Sequence, residues 1–153
     1  MELCFNDLAQ LLQHHLGTWV CQRTRFYLNG APVNHGKAQL QVTGLTPNAP
    51  HALGLVLSWT ENDRPVGRTT LAFDPDSPRF WHYPGDRPPT LGHYTWQPDG
   101  VLELTLPLAE NTHVYERLWF AAPNLRLRTV LVRNDQGLIA ASFYSDIRRL
   151  NAR

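Results

Sequence analysis

From residue 18 to residue 148 the sequence repeats one pattern, in which a short run rich in β-branched and aromatic residues is followed by a cluster of Pro, Gly, Asn or Asp. Such runs predict β-strands. The clusters predict turns, because proline fixes φ while glycine and asparagine tolerate a positive φ. One such turn is predicted at residues 46–50, and Asn29-Gly30 is a pair typical of hairpins. The predicted strands cover residues 18–28, 36–45, 51–60, 66–74, 78–83, 91–97, 100–107, 112–121, 124–133 and 137–148.

A single helix is predicted before these strands. Four leucines between residues 8 and 16 recur at helical spacing, which predicts an amphipathic helix over residues 6–16. Asn6 is the expected N-cap, and Gly17 is the expected stop signal. A helix of this length is not stable alone, so we expect its leucine face to cover another part of the fold.

The order of these elements predicts an all-β fold. About ten short strands joined by turns favour an up-and-down antiparallel barrel with a short N-terminal α-helix. No linker or repeat divides the sequence, so residues 1–153 are expected to form one domain. A barrel of this size holds one small ligand in its mouth. The Gly17-Thr18-Trp19 segment resembles the G-x-W start of lipocalin and fatty-acid-binding barrels.

Composition and motifs exclude several functional classes. Fourteen Lys and Arg against thirteen Asp and Glu give a formal net charge of +1, and Lys37 is the only lysine. This balance argues against nucleic-acid or membrane-surface binding, although a local arginine site for carboxylates or phosphates stays open. No run approaches the roughly 20 apolar residues of a membrane span, and no secretory signal is apparent, so a cytoplasmic location is expected. His14 and His15 point in different directions on the helix, and with no metal-binding or nucleotide-binding motif no metal is expected.

Two arginines in the predicted strand 124–133 are candidate ligand-binding residues. Arg126 and Arg128 share one face of this strand, because side chains alternate along a strand. On a solvated face they need no explanation, but inside a barrel they would need anionic partners, such as Glu116 or a ligand with two carboxylates. A two-residue turn at Ala122-Pro123 sends Glu116 to the opposite face. A three-residue turn centred on Pro123, or a bulge, brings Glu116 to both arginines, and the sequence leaves these alternatives open.

The tryptophans and one cysteine have both structural and functional interpretations. Core packing is the first interpretation of each of the five tryptophans, and Trp19 is the expected plug of the barrel. Trp59 and Trp119 lie in the middle of predicted strands, where they would wall a flat conjugated ligand. Cys21 beside Arg23 could be an activated thiol, but a small buried barrel residue is the favoured interpretation.

Three segments of the sequence together resemble the S/U-type phycobiliprotein chromophore lyases, the CpcS/CpeS/CpcU-like family. The middle segment is long and rich in unusual residues, and the outer two occur in the right order near the ends. The segments are Gly17-x-Trp19-x-x-Gln22-Arg23-Thr24, Glu116-Arg117-x-Trp119-Phe120-Ala121-x-Pro123-Asn124-Leu125-Arg126-Leu127-Arg128 and Ala141-Ser142-Phe143-x-Ser145-Asp146-Ile147-Arg148.

The resemblance implies a lipocalin-like barrel that binds a linear tetrapyrrole (a bilin), either phycocyanobilin or phycoerythrobilin. It implies that the bilin is attached through a thioether to a cysteine of a phycobiliprotein alpha or beta subunit. It also implies a homodimer, or a heterodimer with a related lyase subunit, and no cofactor, since the bilin is a substrate. The implied location is the cyanobacterial cytosol near the thylakoid face.

The resemblance also implies roles for individual residues. Glu116, Arg126 and Arg128 are the expected catalytic residues, and Arg23 is a further expected partner for the bilin propionates. Glu116 or Asp146 is expected to accept the pyrrole N–H groups and to favour the protonated bilin, whose ethylidene is then a better electrophile. By resemblance, Glu116 and Arg126 line the cavity together, which favours the shifted register. The other expected substrate-binding residues are Trp59, Trp119, Asn124 and Ser142.

Two alternative functions stay open. The family usually carries histidines where this chain has Phe26 and Tyr27, which is compatible with a non-catalytic U-type partner subunit or a bilin carrier. The other alternative is a generic lipocalin-like binder of haem or a fatty acid.

Overall fold

The computed structural model describes residues 2–45, 53–109 and 111–150, and in this part of the chain one short helix precedes ten antiparallel strands. Each strand pairs with its neighbours in sequence, and the last strand pairs with the first to close a barrel. This confirms the predicted fold class. The elements are α1 (Leu8–His14), β1 (Gly17–Tyr27), β2 (Asn34–Gly44), β3 (Leu53–Glu61), β4 (Arg64–Phe73), β5 (Arg79–Tyr83), β6 (Thr90–Trp96), β7 (Leu102–Ala109), β8 (Thr112–Ala122), β9 (Leu125–Asn134) and β10 (Gly137–Arg148).

The strand ends agree with the sequence prediction to within two residues. The hairpin at Asn29-Gly30 has a longer connection than a two-residue turn, since β1 ends at Tyr27 and β2 begins at Asn34. The turn predicted at residues 46–50 and the first two residues of the strand predicted over 51–60 lie outside the described residues.

The helix is shorter than predicted, and its N-cap is Asp7 rather than Asn6. Asp7 has extended backbone angles, and its Oδ1 accepts a hydrogen bond from the Gln10 backbone N–H over 2.9 Å, which satisfies one of the free donors of the first turn. The Asn6 backbone N–H instead donates to Gln10 Oε1 over 2.9 Å. At the other end Gly17 begins β1 with a φ of +132°, a conformation that side chains other than glycine rarely adopt.

The apolar face of α1 packs into one end of the barrel. Leu11 and Trp19 are both fully buried, and the Trp19 indole N–H donates to the carbonyl of His15 over 2.9 Å. Trp19 is therefore buried at the junction of α1 and β1, as predicted. In the described part of the chain, no helix is long and apolar enough to cross a membrane.

Hydrogen bonds from the helix and from the residues before it reach the turns at the same end of the barrel. The Phe5 N–H donates to the carbonyl of Pro98, between β6 and β7, over 2.8 Å. His14 Nε2 lies 3.0 Å from the carbonyl oxygen of Pro123, between β8 and β9. We call this end the helix end, and we call the opposite end, which carries the β1–β2 and β3–β4 connections, the mouth.

Candidate functional site

A bulge in β8 determines which way Glu116 faces. Pro123 and Asn124 form the turn to β9, and the register shifts between Phe120 and Ala122. Without the shift, the pairing of Ala122 with Leu125 would set Glu116 opposite Leu131; the shift pairs Glu116 with Val130 instead, which places its side chain on the same face as the β9 arginines. The turn therefore lies one residue later than the sequence suggested, but the observed register is the one that the resemblance favours.

Two arginines and two carboxylates form an ion network inside the barrel. Arg126 Nε donates to Asp146 Oδ2 over 2.9 Å, and Arg128 Nε donates to the same oxygen over 2.6 Å. Arg128 Nη2 donates to Asp146 Oδ1 over 3.2 Å, while its Nη1 donates to Glu116 Oε1 over 3.4 Å. Asp146 and Arg126 are 0% and 1% exposed, but Glu116 keeps 25% of its side chain exposed. The two carboxylates therefore have different surroundings.

For two members of this network, the effect of ion pairing on the pKa is larger than the opposing effect of burial. Burial raises the pKa of the Asp146 carboxyl, but the guanidinium groups of Arg128 and Arg126 more than offset this and hold it below the ordinary value of 3.8. Burial likewise lowers the pKa of Arg128, but Asp146 and Glu116 raise it above its usual value. Burial and then the Arg128 charge lower the pKa of Arg126, whose guanidinium still remains protonated at neutral pH. The network contains two positive and two negative formal charges.

A largely apolar cavity of about 300 Å³, here called the inner cavity, borders this network. Glu116, Arg126 and Arg128 all line it, together with Trp59 and His15. Most of its remaining wall is aliphatic and includes Leu55, Leu57, Leu102, Leu104, Leu106 and Leu118.

A second and more polar cavity of about 230 Å³, here called the mouth cavity, is lined by Arg23, Lys37 and Glu61. Arg128, Tyr144 and Trp59 border both cavities, so the two cavities adjoin at these side chains. Each volume by itself lies at or below the lower end of the roughly 300–1,000 Å³ of small-molecule sites. The arrangement suits a ligand that has an apolar part and an anionic part.

Gly36 makes room for the arginine of the mouth cavity. A Cβ atom at Gly36 would lie 2.6 Å from Arg23 Nη2, so no larger residue fits there without moving the guanidinium. Arg23 Nη2 donates to Asn34 Oδ1 over 2.6 Å, which orients the guanidinium. No partner for Arg23 Nε is found among the described residues, although the atom is buried.

Two of the predicted substrate-binding residues lie outside the barrel interior. Trp119 pairs with Leu127 on the outer face, where the Arg117 guanidinium lies 5.6 Å from the centre of its ring, so it walls neither cavity. Glu116 and Trp119 are three residues apart on β8, so their side chains lie on opposite faces. The same bulge therefore turns Glu116 inwards and Trp119 outwards. Asn124 lies in the exposed β8–β9 turn, and its Oδ1 accepts from Arg148 Nε over 3.0 Å.

Two further predicted residues face inwards but are engaged by protein groups. Ser142 is buried and its hydroxyl accepts from Arg25 Nε over 3.0 Å. Asp146 is not part of either cavity wall, because both of its oxygens are covered by the guanidinium groups that they bind. Glu116 is therefore the network carboxylate with a surface on the inner cavity.

Three residues of the site were not predicted from the sequence. Tyr144 lies between Ser142 and Asp146 on the same face of β10, and the centre of its ring lies 4.1 Å from the Arg128 guanidinium carbon. Because every second residue of a strand shares a face, the sequence could have indicated Tyr144. No such pattern indicates Lys37 or His15. The position of Lys37 depends on the pairing of β1 with β2, and the position of His15 depends on the way α1 enters the barrel.

The Cys21 thiol is not an activated nucleophile. Burial, and after it the nearby Asp146 carboxylate, raises the pKa of Cys21 to about 12, so the thiol stays protonated at neutral pH. This supports the favoured interpretation of a small buried barrel residue. Within residues 2–45, 53–109 and 111–150, no group of three His, Cys, Asp or Glu side chains is arranged to hold a metal ion.

A closed antiparallel barrel of ten strands with a helix at one end and cavities in its interior is a lipocalin-like barrel. The solved structure of the S-type phycobiliprotein lyase CPES from Guillardia theta has this fold, with a TM-score of 0.77 at 18% identity over 95% of this chain and 94% of that one. A family model described as CpeS-like protein matches residues 85–149, which contain the whole of β8, β9 and β10.

Relatives identify the family. Chromophore lyase CpcS/CpeS 2 of Synechococcus sp. (strain JA-3-3Ab) is 32% identical, covering 89% of this chain and 87% of its own length. Chromophore lyase CpcS/CpeS of Thermosynechococcus vestitus is 30% identical, covering 93% of this chain and 92% of its own. The chain belongs to the CpcS/CpeS chromophore lyase family.

Proposed function

We propose that this protein is a bilin lyase, which binds a linear tetrapyrrole in the barrel and promotes its thioether attachment to a cysteine of a phycobiliprotein subunit. The observation that carries the proposal is the charge-balanced network of Arg126, Arg128, Asp146 and Glu116 against an apolar cavity, with one carboxylate available to a ligand. A fatty-acid carboxylate would need a cation of its own, whereas Arg126 and Arg128 are already paired with Asp146 and Glu116.

The charges suggest which part of the bilin lies in each cavity. Arg126 and Arg128 are already paired with Asp146 and Glu116, so neither is a free cation for a propionate. The two bilin propionates therefore bind at the mouth cavity, where Arg23 and Lys37 exceed Glu61 by one positive charge. The pyrrole rings occupy the inner cavity, with Trp59 against their flat faces.

Glu116 is the proposed acceptor of the pyrrole N–H groups. A carboxylate beside the ring nitrogens stabilises the protonated bilin, in which the ethylidene carbon is more electrophilic. The thiol S–H of the phycobiliprotein cysteine then adds across the ethylidene double bond, so that sulfur bonds to the ethylidene carbon and the proton ends on the adjacent ring carbon. The addition is redox-neutral and needs no cofactor. The protein orients the pigment and shields it from water.

The bilin and the protein partners belong to the same proposal. Phycocyanobilin and phycoerythrobilin are the proposed substrates, and one relative from Picosynechococcus is named a phycocyanobilin lyase subunit. We propose that the protein works as a homodimer, or as a heterodimer with a related lyase subunit, in the cytosol near the thylakoid face. Size-exclusion chromatography with light scattering, with and without that subunit, measures the assembly.

Co-expression tests the activity. The chain is produced together with bilin-synthesising enzymes and single phycobiliprotein subunits, and bilin fluorescence is recorded after denaturing electrophoresis. We expect fluorescence on the subunit. Bilin bound to this chain but not transferred, even with the related lyase subunit present, indicates a carrier. Failure to bind any bilin contradicts both the lyase and the carrier function.

A matched pair of variants tests the role of Glu116. Glu116→Gln keeps the shape but removes the charge, and we expect transfer to fall at least about tenfold, as for the loss of one electrostatic contact to a developing charge. Glu103→Gln is the control, because Glu103 lies on the neighbouring strand β7, pairs with Arg117 and binds the Tyr115 hydroxyl on the outer face. Equal transfer by both variants would remove Glu116 from the site.

A further inference from the structure

One histidine on the wall of the inner cavity has no role in the proposed function. His82 lies on β5, where its cross-strand neighbours are Leu71 on β4 and Thr90 on β6. It shares the inward face of β5 with the buried Phe80, and its side chain lines the cavity. The other ionisable residues described on this wall belong to the ion network or contact one of its arginines.

His82 lies near the place where the inner cavity opens at the mouth. Because successive strands run in opposite directions, the β5–β6 and β7–β8 connections lie at the same end of the barrel as the β3–β4 connection. His82 is the last residue but one of β5, next to the first of these connections. Leu108, the last residue but one of β7, also lines the cavity and is 57% exposed. The cavity therefore reaches the protein surface at this end, where a thiol of another protein can enter.

The proposed addition needs a group that takes up the thiol proton. A cysteine thiol has an ordinary pKa of about 8.5, so it is mostly protonated at neutral pH, whereas the thiolate is the nucleophile. Glu116 is assigned to the pyrrole N–H groups, and both oxygens of Asp146 are covered by guanidinium groups. Neither carboxylate of the network is therefore free to accept this proton.

The surroundings of His82 keep its imidazole neutral. Burial, followed by the charge of Arg87, lowers the pKa of His82 below its ordinary value of 6.5. Asp86 and Arg87 are the charged residues of the β5–β6 connection. On the adjacent strands, Arg68 of β4 and His93 of β6 are exposed on the outer face of the barrel. Across the cavity lies the ion network, whose formal charges cancel. A neutral imidazole is a base that is ready to accept a proton.

We infer that His82 is a further catalytic residue, which accepts the thiol proton of the phycobiliprotein cysteine and returns it to the bilin. This role rests on the proposed function and deepens it. As the proton passes to the imidazole, the electron pair of the S–H bond forms the bond from sulfur to the ethylidene carbon, and the electron pair of the ethylidene double bond moves to the adjacent ring carbon. The imidazolium then gives its proton to that ring carbon. The addition stays redox-neutral, and His82 ends as it began.

A matched pair of histidine variants tests this role. Purified proteins transfer phycocyanobilin to the phycobiliprotein subunit that accepts it on co-expression, and the rate without this protein is subtracted. His82→Gln removes the base and keeps a polar side chain. Because only about 3% of an ordinary thiol is ionised at pH 7, we expect its transfer rate there to fall at least about tenfold. His93→Gln, the same substitution on the outer face of the neighbouring strand, is the control and should transfer at the unmodified rate.

The pH dependence of transfer is a readout that a merely structural role would not change. In His82→Gln the rate should depend on the thiolate alone, so it should fall about tenfold per pH unit below about 8.5 and approach the unmodified rate above that value. In the unmodified protein the rate should stay nearly constant between about pH 8 and pH 6.5, because His82 takes the proton. Bilin binding, measured by absorbance titration, should stay within about threefold in both variants.

Each other outcome overturns the inference. Equal rates for His82→Gln and His93→Gln at pH 7, or a deficit of His82→Gln that is the same at every pH, remove His82 from the proton transfer but leave the proposed function intact. Near-ultraviolet circular dichroism shows whether each variant is folded. If His82→Gln is not folded, the profile of the unmodified protein still decides, since a tenfold loss per pH unit below about 8.5 would mean that no base acts. Failure of the unmodified protein to transfer the bilin would overturn both the inference and the proposed function.

Discussion

Asp146 and Glu116 both contact Arg128, but they have different surroundings and therefore different roles. Asp146 is fully buried and binds both arginines through both of its oxygens, whereas a quarter of the Glu116 side chain is exposed and only one of its oxygens binds Arg128. The first carboxylate holds the guanidinium groups in position, and the second is available to a ligand. Sequence patterns do not distinguish them, because the difference in burial arises only when β8 and β10 pair with β9.

Substitution of the two carboxylates by amides should separate these roles. Asp146→Asn leaves two buried guanidinium groups without their main counterion, so we expect the free energy of unfolding to fall by about 3–5 kcal/mol. Glu116→Gln removes one long contact of a side chain that is a quarter exposed, and the loss should stay below about 1 kcal/mol. Urea denaturation followed by tryptophan fluorescence measures both. Equal losses in the two variants would contradict the division of roles.

The buried neutral His15 should make stability depend on pH. Its folded-state pKa is depressed, so below the ordinary value of 6.5 the unfolded chain takes up a proton that the folded protein does not. The free energy of unfolding should therefore fall as pH is lowered from about 6.5 towards 5, by at most about 1.4 kcal/mol per pH unit for this group. Subtraction of the same profile for His15→Gln removes the contributions of His14 and His82, and a flat difference would count against a neutral His15.

At the scale of single elements, the β3–β4 turn shows local strain. Asn62 and Asp63 both have positive φ, at 50° and 62°, and they form the two-residue connection between Glu61 and Arg64. This is the geometry of a hairpin turn in which Asn-Gly is the preferred pair. Aspartate tolerates the conformation less well than glycine does.

Asp63→Gly should therefore stabilise the protein, by roughly 0.5 kcal/mol after the greater freedom of glycine in the unfolded chain is subtracted. The control is Asp135→Gly in the β9–β10 turn, because the φ of Asp135 is not positive. That variant should not stabilise the protein. Thermal melting of the two variants at equal concentration makes the comparison, and a lower melting temperature for Asp63→Gly would contradict the strain.

Local patterns predicted the elements well for a physical reason. Proline, glycine and asparagine act within a few residues of themselves, so all ten strands were placed to within two residues at each end. The helix N-cap was predicted one residue too early, because Asn6 and Asp7 are both good capping residues.

At the scale of the whole molecule, the two adjoining cavities predict a stabilising ligand. A bilin that binds the folded protein only, at 100 times its dissociation constant, adds about 2.7 kcal/mol to the free energy of unfolding. For a domain of this size that corresponds to a rise in melting temperature of about 5–10 °C. We expect this rise with biliverdin in a thermal-shift measurement.

The same measurement with haemin and with oleate tests the generic binder. Neither ligand combines an elongated ring system with two adjacent propionates in the way that the two cavities require, so their shifts should be smaller. An equal or larger shift with oleate would favour a fatty-acid binder over a bilin lyase.

The sequence by itself determined the barrel, its helix and the residues that carry charge, because strand alternation and turn chemistry are local. The middle and last segments that resemble the family also contain all four members of the ion network. Only the tertiary structure decided which faces these residues occupy. A bulge of one residue, between Phe120 and Ala122, turns Glu116 inwards and Trp119 outwards, and closure of β10 on β9 places Asp146 against both arginines. The position of a bulge and the pairing of distant strands depend on the packing of the whole barrel. They therefore cannot be predicted from a local segment of ten or twelve residues.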